Sequence, residues 1–150
     1  MGAAPHRPAT FDDAPRLFEV RRRSILDLAP PSLSITDAET WAARLTLPRI
    51  EQKLRELEIW IAEPGGVVAG WDGIRGDFLE SLYTAPEYAG QGIGSALLGR
   101  LEGLMRERGV DTVRAEASPN ALSYYLRRGY EVTGPQMAVG AWPIAKQLSG

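Results

Sequence analysis

Residues 78–99 read FLESLYTAPEYAGQGIGSALLG. Phe78 to Thr84 has the aromatic and apolar content of a strand, closed by Pro86. From Ile93 the period changes. Ile93, Leu97, Leu101, Leu104 and Met105 recur at three- and four-residue spacing and predict a helix to about Arg108, where Gly109 stops it. Between strand and helix lie three alternating glycines, Gly90, Gly92 and Gly94. Glycine at that density allows the turns that side chains forbid and lets a backbone come close to a ligand or a neighbouring helix. A strand, a glycine turn and a helix start in that order aim backbone N–H groups and the helix dipole at one spot. That spot suits a phosphate or pyrophosphate.

Two familiar phosphate loops do not fit. A P-loop needs Lys and Ser or Thr after the second glycine of G-x-x-x-x-G, but Gly94 to Gly99 is followed by Arg100-Leu101. A dinucleotide fingerprint needs G-x-G-x-x-G, and the sixth residue is Ser95 counting from Gly90 or Leu97 counting from Gly92.

Outward from this stretch the pattern is mixed. Before it, Ile59–Glu63, Val67–Ile74 and Phe78–Thr84 read as three antiparallel strands with turns at Pro64-Gly65-Gly66 and Arg75-Gly76-Asp77. Earlier still, a strand is expected at His6-Arg7. A helix follows from about Thr10 to Ala29, stopped by Pro30-Pro31. A second helix is expected over Asp37–Leu47, capped by Thr36 or Asp37 and interrupted by Pro48, with 49–58 helical after it. After the glycine stretch, Thr112–Ala117 is a strand. Ser118-Pro119 has the form of an N-cap and first helical residue for a helix ending at Gly129. Tyr130–Thr133 and about Gln136–Trp142 read as closing strands. The implied fold class is α+β, a mixed, mostly antiparallel central sheet with helices on both faces. Residues 78–117 form a parallel crossover.

Composition bounds the function. The chain has 150 residues, the commonest size of one domain, and one domain over 1–150 is expected. Cysteine is absent and His6 is the only histidine, so thiolate catalysis, disulfides and a histidine metal cluster are excluded and no metal is expected. Net charge is −2 with Lys and Arg dispersed, which argues against a nucleic-acid surface. No apolar run reaches the ~18 residues of a membrane span, and MGAAPHRPAT lacks a signal-peptide core. The expected compartment is the cytoplasm.

The chain resembles the GNAT superfamily of acyl-CoA N-acyltransferases. The family pattern of a strand ending L-x-V-x-P followed by (Q/R)-x-x-G-x-(G/A) reads here Leu82-Tyr83-Thr84-Ala85-Pro86, then Ala89-Gly90-Gln91-Gly92-Ile93-Gly94. An aromatic-Tyr-x-x-x-Gly-aromatic segment follows in the family's order, as Tyr124-Tyr125-Leu126-Arg127-Arg128-Gly129-Tyr130. Two positions depart: Ala89 stands where the family prefers Gln or Arg, and Ser118 where an Asn often meets the coenzyme, with Asn120 nearby.

The resemblance implies an acetyl-CoA-dependent N-acetyltransferase. Gly90, Gln91, Gly92, Ile93, Gly94 and Ser95 would hold the pyrophosphate, with Asn120 beside the coenzyme. A backbone N–H of Leu82, Tyr83 or Thr84 would meet the acyl carbonyl. Tyr125 would protonate the leaving sulfur. Glu80 would be the base for the amine, placed by strand alternation on the face of Leu82 and Thr84, with Glu116 in reserve unless it pairs with Arg114 or caps the next helix. Arg127 and Arg128 could reach the coenzyme's 3′-phosphate or serve only the helix end. His6 reads as a surface histidine, and Trp41, Trp60 and Trp71 as core or pocket walls. The acceptor is expected to be a small-molecule amine chosen between the first two helices, and a homodimer is open to such a chain. Two other readings stand: an acyl-CoA-binding module of the same fold without catalysis, and a nucleotide-binding oxidoreductase, which the failed fingerprint disfavours.

Overall fold

The computed structural model describes residues 6–28, 30 and 34–148. The chain enters as a short strand, β1 (His6–Pro8). It then builds a helical layer of α1 (Ala14–Leu28), α2 (Ile35–Ala43) and α3 (Leu47–Glu56). An antiparallel meander follows, β2 (Glu58–Ala62), β3 (Gly70–Arg75) and β4 (Phe78–Thr84). The remaining elements are α4 (Ile93–Glu107), β5 (Thr112–Ala117), α5 (Leu122–Leu126), β6 (Glu131–Val132) and β7 (Trp142–Gln147). The seven strands form one sheet in the order β1-β2-β3-β4-β5-β7-β6. Among the described residues only β4 and β5 run parallel, and they pair at just two positions, Phe78 with Arg114 and Leu79 with Ala115. Beyond Leu79 the two strands part, and that gap is the central feature of the molecule.

Helices cover both faces. Leu17, Val20, Ile50, Ile61 and Trp71 are buried between the sheet and the layer of α1 and α3. Leu98, Leu101 and Met105 of α4 and Tyr125 of α5 close the other face over Ile74, Leu79, Val113 and Ile144. Full burial of such aliphatic side chains stabilises by roughly 1.5–3 kcal/mol each, which makes these two clusters the main hold on the sheet. Gly70 lets α4 lie close on β3: a Cβ there would stand 2.8 Å from the Tyr83 carbonyl oxygen and 2.9 Å from Ile93.

Several expected boundaries move. The N-cap of α2 is Ser34, whose hydroxyl accepts from the Asp37 N–H, two residues before the predicted cap. That helix stops at Ala43, so Pro48 does not interrupt it. Thr46 caps a new helix, and Pro48 occupies its first turn, where the missing N–H is harmless. Ser118-Pro119 is a turn, not a cap: the Ser118 carbonyl accepts from Ala121 and Leu122, and α5 starts at Leu122. The last strand lies later than predicted. Residues 136–141 form a hairpin loop closed by Met137 N–H to Ala141 O at 2.8 Å, and β7 runs over Trp142–Gln147.

The face of Glu80 also changes. Gly73 pairs with Ser81 but Ile74 pairs with Leu79, so Glu80 is an extra residue in β4, a β-bulge. The bulge breaks the alternation on which its predicted face rested. Leu82 packs toward α4, and the Thr84 hydroxyl lies 3.4 Å from where a Cβ on Gly94 would stand. Glu80 instead pairs with Lys53 on α3.

Candidate active site

Two cavities meet at the gap. The first, about 600 Å³, is floored by the glycine turn and walled by Thr84, Tyr88, Tyr124 and Arg128. The second, about 280 Å³, is lined by Trp41, Phe78, Glu80, Tyr83, Glu116 and Val139 among others. Ser24, Leu82, Asn120, Ala121 and Tyr125 border both.

The glycine turn is a phosphate cradle in form. Gly90 and Gly92 have φ of +78° and +82°, which other residues adopt only with strain, and the space around their Cβ positions is open. Gly92 is the N-cap of α4, whose first intrahelical bond is Ala96 N–H to Gly92 O at 2.9 Å. The N–H groups of Ile93, Gly94 and Ser95 therefore have no intrahelical acceptor and converge at the positive end of the helix. Gln91 stands apart from its neighbours. Its N–H donates to Tyr88 O and its side chain to Glu87 O, at 3.3 and 3.2 Å, and it is exposed. Gly94 is needed for a different reason: a Cβ there would press on the Tyr124 hydroxyl at 3.3 Å.

Arg128 supplies a fixed cation. Its guanidinium lies 3.6 Å over the Tyr124 ring, donates to the Ser95 hydroxyl at 2.7 Å and to Tyr124 O at 3.1 Å. Arg127 is exposed and does not line the cavity. Asn120 accepts from the Ser118 hydroxyl at 2.7 Å, so these two neighbours act together at the cavity border.

The bulge also decides which backbone donors face the gap. Ala85 N–H donates to Ala69 O on the β3 side. Alternation along the ladder then directs the Tyr83 N–H to β3 and turns those of Leu82 and Thr84 toward the parted strand β5. Of the three donors expected from the sequence, Leu82 and Thr84 are free to meet a carbonyl oxygen.

Tyr125 stands at the junction, 8% exposed, edge-on to Tyr124 and Tyr130. Burial, with Tyr124 beside it, pushes its phenol above the usual tyrosine value, so it stays protonated and able to donate. Glu80 borders the second cavity, but its carboxylate is held by Lys53 and lies 3.6 Å from Arg75. Glu116 also borders it; Arg114 pairs with Asp77 at 2.8 Å, and Ala121 rather than Glu116 is the N-cap of α5. The sequence left Arg127 and Arg128 open between the coenzyme and the helix end; the structure turns Arg128 alone inward, and it adds a Tyr124 wall that the sequence reading did not assign. Their four-residue spacing on one helical stretch was the available signal. Trp71 is core, donating its indole N–H to Leu17 O, while Trp41 lines the second cavity and Trp60 carries Arg100 on its ring at 4.3 Å. His6 is partly buried in β1 and borders neither cavity. Among the described residues, no His, Asp and Glu side chains group to hold a metal, and no helix is long and apolar enough to cross a membrane.

The acetyltransferase (GNAT) domain model matches residues 29–142. Solved structures share the fold over nearly the whole chain. A GCN5-related N-acetyltransferase from Rhodopseudomonas palustris is 26% identical, with a TM-score of 0.89 over 98% of this chain and 97% of that one. The PaiA N-acetyltransferase from Thermoplasma acidophilum, in complex with coenzyme A, is 21% identical, with a TM-score of 0.80 over 97% and 99%. N-acetylglutamate synthase from Neisseria gonorrhoeae, complexed with coenzyme A and N-acetyl-glutamate, is 16% identical, with a TM-score of 0.74 over 100% of this chain and 36% of that longer one.

Proposed function

The chain belongs to the GNAT acetyltransferase family, and from that premise we propose that it moves an acetyl group from acetyl-CoA to a primary amine of a small molecule, by direct attack with both substrates bound. The observation that carries this reading is the meeting of the two cavities at Leu82, Asn120 and Tyr125. One cavity has the donors for a pyrophosphate and the other the room for an amine. When bound, acetyl-CoA supplies an activated acyl thioester.

The chain's own residues then divide the work. The N–H groups of residues 93–95 and the Arg128 guanidinium hold the diphosphate. The open space above Gly90 and Gly92 is where it lies, and a side chain at either would fill it. The Leu82 N–H, turned into the gap by the bulge, meets the charge that develops on the carbonyl oxygen. A fixed donor of this kind is worth on the order of 3 kcal/mol in the transition state. Glu80 takes the proton of the attacking amine, directly or through a water; a lysine-like amine with a pKa of ~10.4 needs such an acceptor near neutral pH. The bulge and the Lys53 pair fix where that carboxylate stands. Tyr125, protonated and buried, donates to the departing sulfur.

Calorimetric titration with acetyl-CoA, with NAD as control, tests the binding half. Release of coenzyme A from amines tests the transfer. Binding of acetyl-CoA but not NAD is expected.

A further inference from the structure

The charges of α4 fall into two groups. Three are answered inside the chain. Glu102 accepts from Tyr130 and Lys146 at 2.8 and 2.9 Å, Arg106 donates to Leu148 O at 3.3 Å, and the C-cap Arg108 pairs with Glu58 at 2.7 Å. The other two, Arg100 and Glu107, enter no ion pair among the described residues. Both are exposed. They stand seven residues apart on one flank of the helix, and neither has an opposite charge three or four residues away within α4. The Arg100 guanidinium is held in place 4.3 Å over the Trp60 ring.

Between these charges the flank is hollow. A cavity of about 460 Å³ follows it, lined by Ala96, Gly99, Gly103 and Leu104, with His6 of the edge strand β1 across from them. The fold itself does not require Gly99 or Gly103. Neither takes a positive φ, and a Cβ on either would meet nothing within 4 Å. Gly70 and Gly94, by contrast, answer close contacts inside the chain. Glycine in a helix interior is a poorer helix former than every residue but proline, so two without an internal contact point to something outside.

We propose that this flank of α4 is the contact between two copies of the chain, paired antiparallel about a twofold axis beside Gly103 and Leu104. The surface is complementary to itself. The axis sets Arg100 of each copy opposite Glu107 of the other, which makes two equivalent ion pairs. Leu104 of each copy lies over Gly103 of the other, where the missing side chain lets the helix axes approach to ~8 Å. A parallel pair would set Arg100 on Arg100 and Glu107 on Glu107, so the charges select the antiparallel one. At ~1.5 Å of rise per residue the two glycine turns stand about 30 Å apart, at opposite ends of the helix pair. Each glycine-turn cavity therefore stays open, with one ligand bound per chain.

Sedimentation velocity over a concentration series of the purified chain tests this. The wild type is expected to associate to a dimer. Arg100→Glu and Glu107→Arg should each weaken the dimer at least ten-fold, because like charges then meet across the axis. Both variants should melt close to the wild type, since neither residue is paired within its own chain. An equimolar mixture of the two should associate again, one being acidic at both positions and the other basic at both. The doubly exchanged chain, Arg100→Glu with Glu107→Arg, should dimerise like the wild type. A wild type that stays monomeric at sub-millimolar concentration would overturn the proposal. So would a dimer that both reversals leave intact, or a mixture of the two variants that stays monomeric.

Discussion

Asp72 shows how one residue can set the behaviour of the whole chain. It lies in β3, opposite Trp60 and Leu82, 1% exposed, and its Oδ1 has no partner among the described residues. Burial, reinforced by the negative Glu58, pushes its carboxyl up to about 8. Its folded value is above its unfolded one, so the penalty is absent below about pH 4 and grows as pH rises toward 8, reaching on the order of 5 kcal/mol at most. Asp13, Glu58 and Asp77, held low chiefly by hydrogen bonds from Arg7, Arg108 and Arg114, act in the opposite sense at acid pH. The comparison that isolates Asp72 is with Asp72→Asn. Between about pH 5 and pH 8 the wild-type melting temperature should fall relative to that variant, and parallel curves would contradict the assignment. At the junction, Tyr125→Phe should lower kcat by ~10²–10³-fold, because a general acid contributes on that scale, while acetyl-CoA binds as before. Unchanged turnover in that variant would place the proton donor elsewhere.

The bulge and the glycine turn are the two elements on which the site depends. Valine at Gly92 must take a φ of +82° and intrude on the open cradle, so Gly92→Val should weaken acetyl-CoA binding at least ten-fold, as a titration would show. Alanine at Gly70 meets the Tyr83 carbonyl and Ile93 at under 3 Å, and should cost about 1–3 kcal/mol in denaturant unfolding by lifting α4 off β3. Much at this scale was legible in the sequence. The span Phe78–Thr84, the parallel crossover to Thr112–Ala117 and the start of α4 at Ile93 follow from period and glycine placement alone. The bulge was not, because an extra residue in β4 leaves the composition of the strand unchanged and shows only in how β3 and β4 pair. That is why Glu80 was expected beside Leu82 and is found against Lys53. The Ser118 turn and the late start of β7 escaped for a similar reason: Ser-Pro and a run of small residues fit a turn as well as a cap or a strand.

At the scale of the molecule, two helical layers clamp a sheet in which the parallel pair β4 and β5 parts after two residues, and two cavities meet at the parting. The glycine-turn cavity and the acidic, aromatic cavity share a border at Ser24, Leu82, Asn120, Ala121 and Tyr125, drawn from three separate parts of the chain. A ligand that fills the first cavity should therefore stabilise the whole chain. At about 100 times its dissociation constant the gain is about 2.7 kcal/mol, visible as a rise in melting temperature. The most direct single measurement is a calorimetric titration of the purified protein with acetyl-CoA, with NAD as control. Saturable one-to-one binding of acetyl-CoA and none of NAD is the predicted result; a folded protein that binds no acetyl-CoA would contradict the account at its foundation.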